Sequence, residues 1–276
     1  MSNDKPKKYQ KEWSFNFDTL GKAVREKFKP LSEEEIQRET FIVPLDDTQH
    51  ANFHIGFSVA ETVIDALEED SPNLFEATIE YVGEVEFDVA TTATGHTTVT
   101  LKQDKSFEKL WNNGKKRLEW RILIHPRILS KMHLTGGVGR ATINLLLLDV
   151  VSADYKGNVG ETILTLPQRQ DQIALNASAG VGKLEINIPE YTNADLNLSG
   201  GVGQTVIHMA KSTGVMTSAK IGIGEISLPK GYIALKEKRQ FVSKSGTWVS
   251  PNYEDAVYRV TVRFEGGVGE LALTQK

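Results

Sequence analysis

The chain has no cysteine in its 276 residues. That excludes a disulfide framework, a thiolate metal site and a cysteine nucleophile. It is neutral on compartment, because a cysteine-free protein survives in either redox environment. Long apolar runs are missing too. A membrane-spanning helix needs about 18 to 20 uninterrupted apolar residues, and the longest candidate, Ile143 to Val151, falls well short. The N-terminus reads MSNDKPKKYQKEW, basic but with no apolar stretch behind it, so it is not a secretory signal. The expectation is a cytoplasmic protein, with peripheral envelope association left open. Charge of one sign is scarce: the formal net charge is -4, which gives no reason to expect nucleic acid.

Signatures of catalysis are also thin. There is no HExxH spacing and no GxSxG elbow. The six histidines are His50, His54, His96, His125, His133 and His208. His50 and His54 would share one face of a strand about 13 Å apart, too far for one metal ion. His208 falls between inward positions Ile207 and Met209 and should face solvent. Surface histidines are expected throughout, with no metal, cofactor or catalytic residue assigned.

What the chain does have is a repeat. It reads LTGGVGRATINL from Leu134, then GNVGETILTL, ASAGVGKLEINI, LSGGVGQTVIHM, SAKIGIGEISL and FEGGVGELAL. The central residues of these glycine turns are Val138, Val159, Val181, Val202, Ile223 and Val268, separated by 21, 22, 21, 21 and 45 positions. A fixed period of this length marks a repeat architecture. Around each anchor every second residue is apolar or small: Leu134, Ala177, Leu198 and Phe264 four before it, Leu164, Ile186, Ile207 and Leu273 five after it. That is the period of a strand. Each repeat therefore predicts two short strands joined at a glycine corner. Similar residues recur in one column copy after copy, which in-register stacking explains better than a meander or sandwich does. The fold predicted is all-β: a parallel β-solenoid of 21–22-residue coils.

The outward acids do not assemble a catalytic set. Glu161 and Glu185 fall two and four positions past their anchors, and Glu225 and Glu270 fall at plus two. Carboxylates that merely share a column are not a glycosidase pair. The Gly-Val-Gly turns are not dinucleotide loops, because a strand pattern follows each where that motif needs a helix. A carbohydrate-active solenoid would instead need acids or aromatics converging in a groove, with Trp111, Trp120 and Trp248 as its candidate lining.

Residues 1–38 predict a disordered tail followed by a short helical segment. Phe17, Leu20, Val24 and Phe28 recur at helical spacing, and Pro30 ends the pattern. Ser32 with Glu35 makes a capping box for a second helix, Glu33 to about Arg38. This segment either caps the open end of the solenoid or docks a membrane surface or a partner through Phe17, Leu20, Val24 and Phe28. Residues 39–116 read as a diverged β region whose coils lack the glycine register, with a break at Ser106 to Lys116. Residues 117–276 form the regular solenoid, opened by RLEWRILI. Gly231 to Ser250, with its basic run Lys236-Glu237-Lys238-Arg239, is either a binding loop or a degenerate coil shielding one end.

The motifs LTGGVGRATINL, ASAGVGKLEINI, LSGGVGQTVIHM and FEGGVGELAL resemble the toastrack superfamily over roughly Phe41 to Lys276. That group includes the “putative adhesin” β-solenoid domains and the C-terminal domains of bacterial cell-wall-active antibiotic response proteins. The resemblance implies a right-handed solenoid without catalytic residues, used in envelope-stress sensing or protein interaction. Members often carry transmembrane helices ahead of the domain, where this sequence has a soluble segment. The function expected is a non-catalytic scaffold or interaction module with an unknown protein partner. The alternatives are a carbohydrate-binding or carbohydrate-active β-helix, or a solenoid that associates end to end with its own copies.

Overall fold

In each repeat the alternation of apolar and polar residues changes parity at the glycine turn. In β11 (Ile173–Asn187), Ile173, Leu175 and Ala177 are buried before the turn and Leu184 and Ile186 after it. A straight strand would send those two sets to opposite faces. The strand bends instead, and both sets enter one core. The pairing skips one residue on each strand at the bend: the register passes from Ala179↔Gly200 to Val181↔Val202 with its offset unchanged, leaving Gly180 and Gly201 out of the ladder. The same skip recurs where β10 (Val150–Thr165), β12 (Ala194–Met209), β13 (Gly214–Ser227) and β16 (Arg259–Gln275) pair with their neighbours. Five copies are thus single bent strands, where two short strands joined by a corner were expected. In the first copy β8 (Leu129–Thr135) and β9 (Val138–Asn144) stay separate.

The glycine after each anchor has no substitute. Gly182 sits at φ +138°, and a Cβ there would strike the carbonyl oxygen of Gly160 in the neighbouring strand. The stacked corners are so close that backbone meets backbone.

In the computed structural model, residues 36–103, 118–239 and 243–276 are described, and they form sixteen strands and no helix. All belong to one sheet, creased along the glycine corners into a first and a second arm that enclose a common core. Val138 pairs with Val159, Val159 with Val181 and Val181 with Val202, as in-register stacking predicts. The order then departs from the chain. β16 lies between β12 and β13, so Val268 has Val202 on one side and Ile223 on the other. The intervening residues are not a degenerate coil. β14 (Ile233–Arg239) and β15 (Lys244–Val249) pair antiparallel, and β15 extends the first arm of β13 antiparallel as well.

The N-terminal region extends the stack. β2 (His50–Gly56) and β3 (Val59–Ala66) lie on β8 and β9, with Val59 beside Val138. β6 (His96–Gln103) and β7 (Glu119–Ile124) lie on their outer side. Three antiparallel strands finish this end: β5 (Val85–Thr91) on β6, β4 (Asn73–Tyr81) on β7, and β1 (Gln37–Pro44) on β4. Parallel pairing is therefore the rule in the middle and gives way at both ends. The edge strands carry charge or proline, Arg38, Glu39 and Pro44 on β1 and Lys236, Glu237 and Lys238 on β14, which discourages edge-to-edge pairing.

The short helix expected to run to about Arg38 does not reach that far. Gln37 and Arg38 pair with Tyr81 and Glu80 as β-strand. Here a sheet neighbour outweighs a local capping signal. Phe17, Leu20, Val24 and Phe28 lie outside the described residues, as do Ser106 to Lys116 and Trp111.

Candidate functional site

Because the inward positions of the first arm alternate with outward ones, stacking turns the outward residues into straight rows across the sheet. One row runs His133, Asp154, Asn176, Asn197, Arg263 and Ser218 on β8, β10, β11, β12, β16 and β13. Thr247 of β15 and Lys236 of β14 continue it. Two positions on, a parallel row reads Thr135, Lys156, Ser178, Ser199, Glu265 and Lys220, continued by Ser245 and Lys238.

The first row is a hydrogen-bonded ladder. His133 Nδ1 lies 3.0 Å from Asp154 Oδ2. Asn176 Nδ2 donates to the other Asp154 oxygen at 2.7 Å. Asn197 Nδ2 donates to Asn176 Oδ1 and Arg263 Nη1 to Asn197 Oδ1, both at 3.2 Å. Arg263 is also paired with Asp195. At the other end the His54 ring stacks on His133, with centroids 4.6 Å apart and 10° between planes. Burial, then the charge of His133, then Lys102 hold the His54 pKa below the usual histidine range. The ladder orders its side chains before any partner arrives, which lowers the entropy cost of binding.

These rows floor an open groove of about 1080 Å³ that reaches from His133 to Lys238. Its walls hold five cations, Lys156, Lys220, Lys236, Lys238 and Arg263, against two carboxylates, Asp154 and Glu265. The chain as a whole carries -4, so the groove is a positive patch on an acidic protein. It was missed in the sequence because its rows cross seven inter-strand steps, and β16, β13, β15 and β14 are out of chain order there.

The histidines were legible only in part. His50 and His54 do not pair along their strand. His50 stacks on His96 with centroids 6.2 Å apart, and His54 stacks on His133, each across neighbouring strands. Placing Val59 in the anchor column would have shown it, since His54 stands five before Val59 as His133 does before Val138. His125 is buried, against the expectation of a surface histidine. It accepts the Arg127 backbone N–H at Nδ1, 3.3 Å away, and burial followed by Arg127 lowers its pKa. His208 is half-exposed as expected, within 3.3 Å of Glu185 and 2.6 Å of Thr274. The hydrogen bond from Lys183 is the main cause holding the Glu185 carboxyl below its ordinary range.

On the second arm Glu225 lies directly beside Glu270, and Glu161 belongs to the same outward row three strands away. Gln204 stands next to Glu270 and donates to it at 2.9 Å. Glu161 is paired with Arg140, so this row is a surface charge ladder and brings no third acid to Glu225 and Glu270. Trp120 and Trp248 are buried in the core and line no groove. Among the described residues, no group of three His, Asp or Glu side chains could hold a metal ion, and no helix is long and apolar enough to cross a membrane.

Residues 32–187 match the family model described as “N-terminal domain of toast_rack, DUF2154”. No curated protein compared with the chain matches it. Among solved structures the chain is similar to a “putative cell adhesion protein” from Clostridium sporogenes ATCC 15579. The two are 20% identical over 87% of this chain and 100% of that one, with a TM-score of 0.61. That likeness is one of fold. A “putative adhesin” from Bacteroides fragilis NCTC 9343 is 13% identical over 90% of this chain and 100% of its own, at a TM-score of 0.33.

Proposed function

We propose that this chain, which belongs to the toast_rack N-terminal-domain family, is a non-catalytic interaction module that presents the outer face of its first arm to a partner. Its scaffold on this reading is a right-handed β-solenoid of 21–22-residue coils, the hand that parallel crossover connections nearly always take. The envelope-linked role implied by the family resemblance goes with this proposal. The observation that carries it is the ladder from His133 to Arg263, a set of outward polar side chains already held in one geometry. The test is sedimentation of purified protein with isolated bacterial cell envelopes. Wild type and the second-arm variant Thr142→Glu/Thr165→Glu should co-sediment, and Ser178→Glu/Ser199→Glu, with the same change of net charge, should not. Equal sedimentation of the two variants, or none by wild type, overturns the reading.

A second reading, end-to-end association of copies, rests on the C-terminal end of the stack. β15 and β14 extend only the first arm there. Among the described residues, Ile223 to Ser227 have no strand on their outer side, and Ile223 is 54% exposed. Light scattering on the full chain over a wide concentration range decides it: a constant monomer mass removes this reading.

A further inference from the structure

We infer that the first-arm groove binds a linear anionic glycan, a polymer with hydroxyls along its length and carboxylate, sulfate or phosphate groups at intervals. This rests on the reading of that face as the interaction surface. Charge comes first. Counting Asp195, which pairs with Arg263, five cations meet three carboxylates and leave a surplus of two positive charges at the groove of a net-negative chain. Each oxygen of Asp154 already has a neighbour in the ladder, Asn176 on one and His133 on the other. Lys156, Lys220, Lys236 and Lys238 are exposed, and no hydrogen bond or ion pair ties up their ammonium groups among the described residues. They remain available to a ligand, and a cleft of one sign concentrates ligands of the other.

Spacing argues for a polymer. Lys156 on β10 and Lys220 on β13 are four strand steps apart, about 19 Å, and Lys238 on β14 lies two further, about 29 Å from Lys156. A single small anion meets only one end of such a row. Between the lysines the floor is mostly short hydroxyls and amides, Ser178, Ser199, Ser218, Asn176 and Asn197, interrupted on β16 by Arg263 and by Glu265 beside Lys220. Such a floor suits a chain rich in hydroxyls.

Three features separate this ligand from others. The aromatic residues at the groove, Tyr155 and Phe264, have their rings buried in the core, so a neutral sugar finds no ring to stack on. An extended acidic peptide binds sheets mainly by its backbone at an edge. This groove lies on a face whose strands from β10 to β15 are paired on both sides, and only its β14 end reaches an edge. Lysine offers a mobile, hydrated point charge, which suits charges spread along a flexible polymer better than one fixed bidentate contact.

The test uses the full chain and labelled polygalacturonate, neutral dextran of equal length and poly-glutamate, followed by fluorescence anisotropy. Polygalacturonate should bind, and its affinity should fall about tenfold or more as salt rises from about 50 to about 200 mM. Lys220→Glu/Lys238→Glu should weaken it about tenfold, while Lys211→Glu/Lys230→Glu, with the same change of net charge outside the groove, should leave it unchanged. Dextran should not bind, and poly-glutamate should bind about tenfold more weakly. Each variant is first checked for an unchanged unfolding midpoint. The inference is overturned if polygalacturonate does not bind, if both lysine pairs weaken it equally, or if poly-glutamate binds as well. If polygalacturonate fails while Ser178→Glu/Ser199→Glu still abolishes envelope sedimentation, the glycan falls and the face remains the interaction surface. If both fail, the face reading falls too.

Discussion

The hydroxyl of Tyr155 lies 2.5 Å from Oγ1 of Thr162, although both belong to one strand and are seven residues apart. The bend at Gly157 to Gly160 brings the two arms of β10 face to face, and this buried bond ties them across the core. Tyr155→Phe leaves the Thr162 hydroxyl buried without its partner and should cost about 1–3 kcal/mol in urea unfolding. Tyr155→Phe/Thr162→Val should recover part of that loss, because neither unsatisfied group remains.

The same residue predicts an alkaline response. Burial pushes the Tyr155 phenol up, and the Thr162 bond offsets this only in part; burial raises Tyr232 as well. Above the unfolded pKa of about 10 the unfolded chain loses these protons before the folded one does. Stability is therefore fully present below that pH and falls as pH rises beyond it. The decline should be shallower in Tyr155→Phe.

At the corner, Gly182→Ala should cost at least about 2 kcal/mol, since it combines φ +138° with a clash against the Gly160 carbonyl. Gly200→Ala is the control. Its Cβ would meet only the Phe264 ring edge at 3.3 Å, and Ala179 occupies the same column in the neighbouring strand. A shift under about 1 kcal/mol is expected there, and equal shifts at both sites would refute the account.

Removing residues 259–276 is not a terminal trim. β16 is the shared neighbour of β12 and β13, so its loss separates them and exposes two long edges. The truncated chain should aggregate or lose cooperative unfolding, read by circular dichroism and light scattering.

Acid should weaken the fold through His54 and His125. Burial is the first cause lowering each, so below the unfolded pKa of about 6.5 the unfolded chain takes up protons that the folded one resists. The stability is present above that pH and is lost as pH falls through the lower folded-state values. His54→Gln should flatten the midpoint-versus-pH curve between about pH 7 and 5. A curve unchanged by that substitution would remove His54 from the account.

Much of the fold was legible because it is written locally. The parity of Leu175, Ala177, Leu184 and Ile186, and the glycine column through Gly160, Gly182 and Gly203, are properties of single repeats. The strand at Gln37 and Arg38 was misread because a capping-box pattern is also local, while the β4 partner that decides the matter stands some forty residues away. The groove was not legible, since Lys156, Lys220 and Lys238 share a row only through the final order of strands.

By itself the sequence determined the two alternating segments about each glycine corner, their 21–22-residue period and the in-register pairing of like columns. Only the tertiary structure decided which unit lies beside which. Every repeat presents the same columns, so any copy can stack on any other at similar cost. The chain pattern therefore cannot show that β16 enters between β12 and β13 or that β14 and β15 end the first arm. That choice depends on side-chain fit and connection length between distant residues, and the positive groove follows from it.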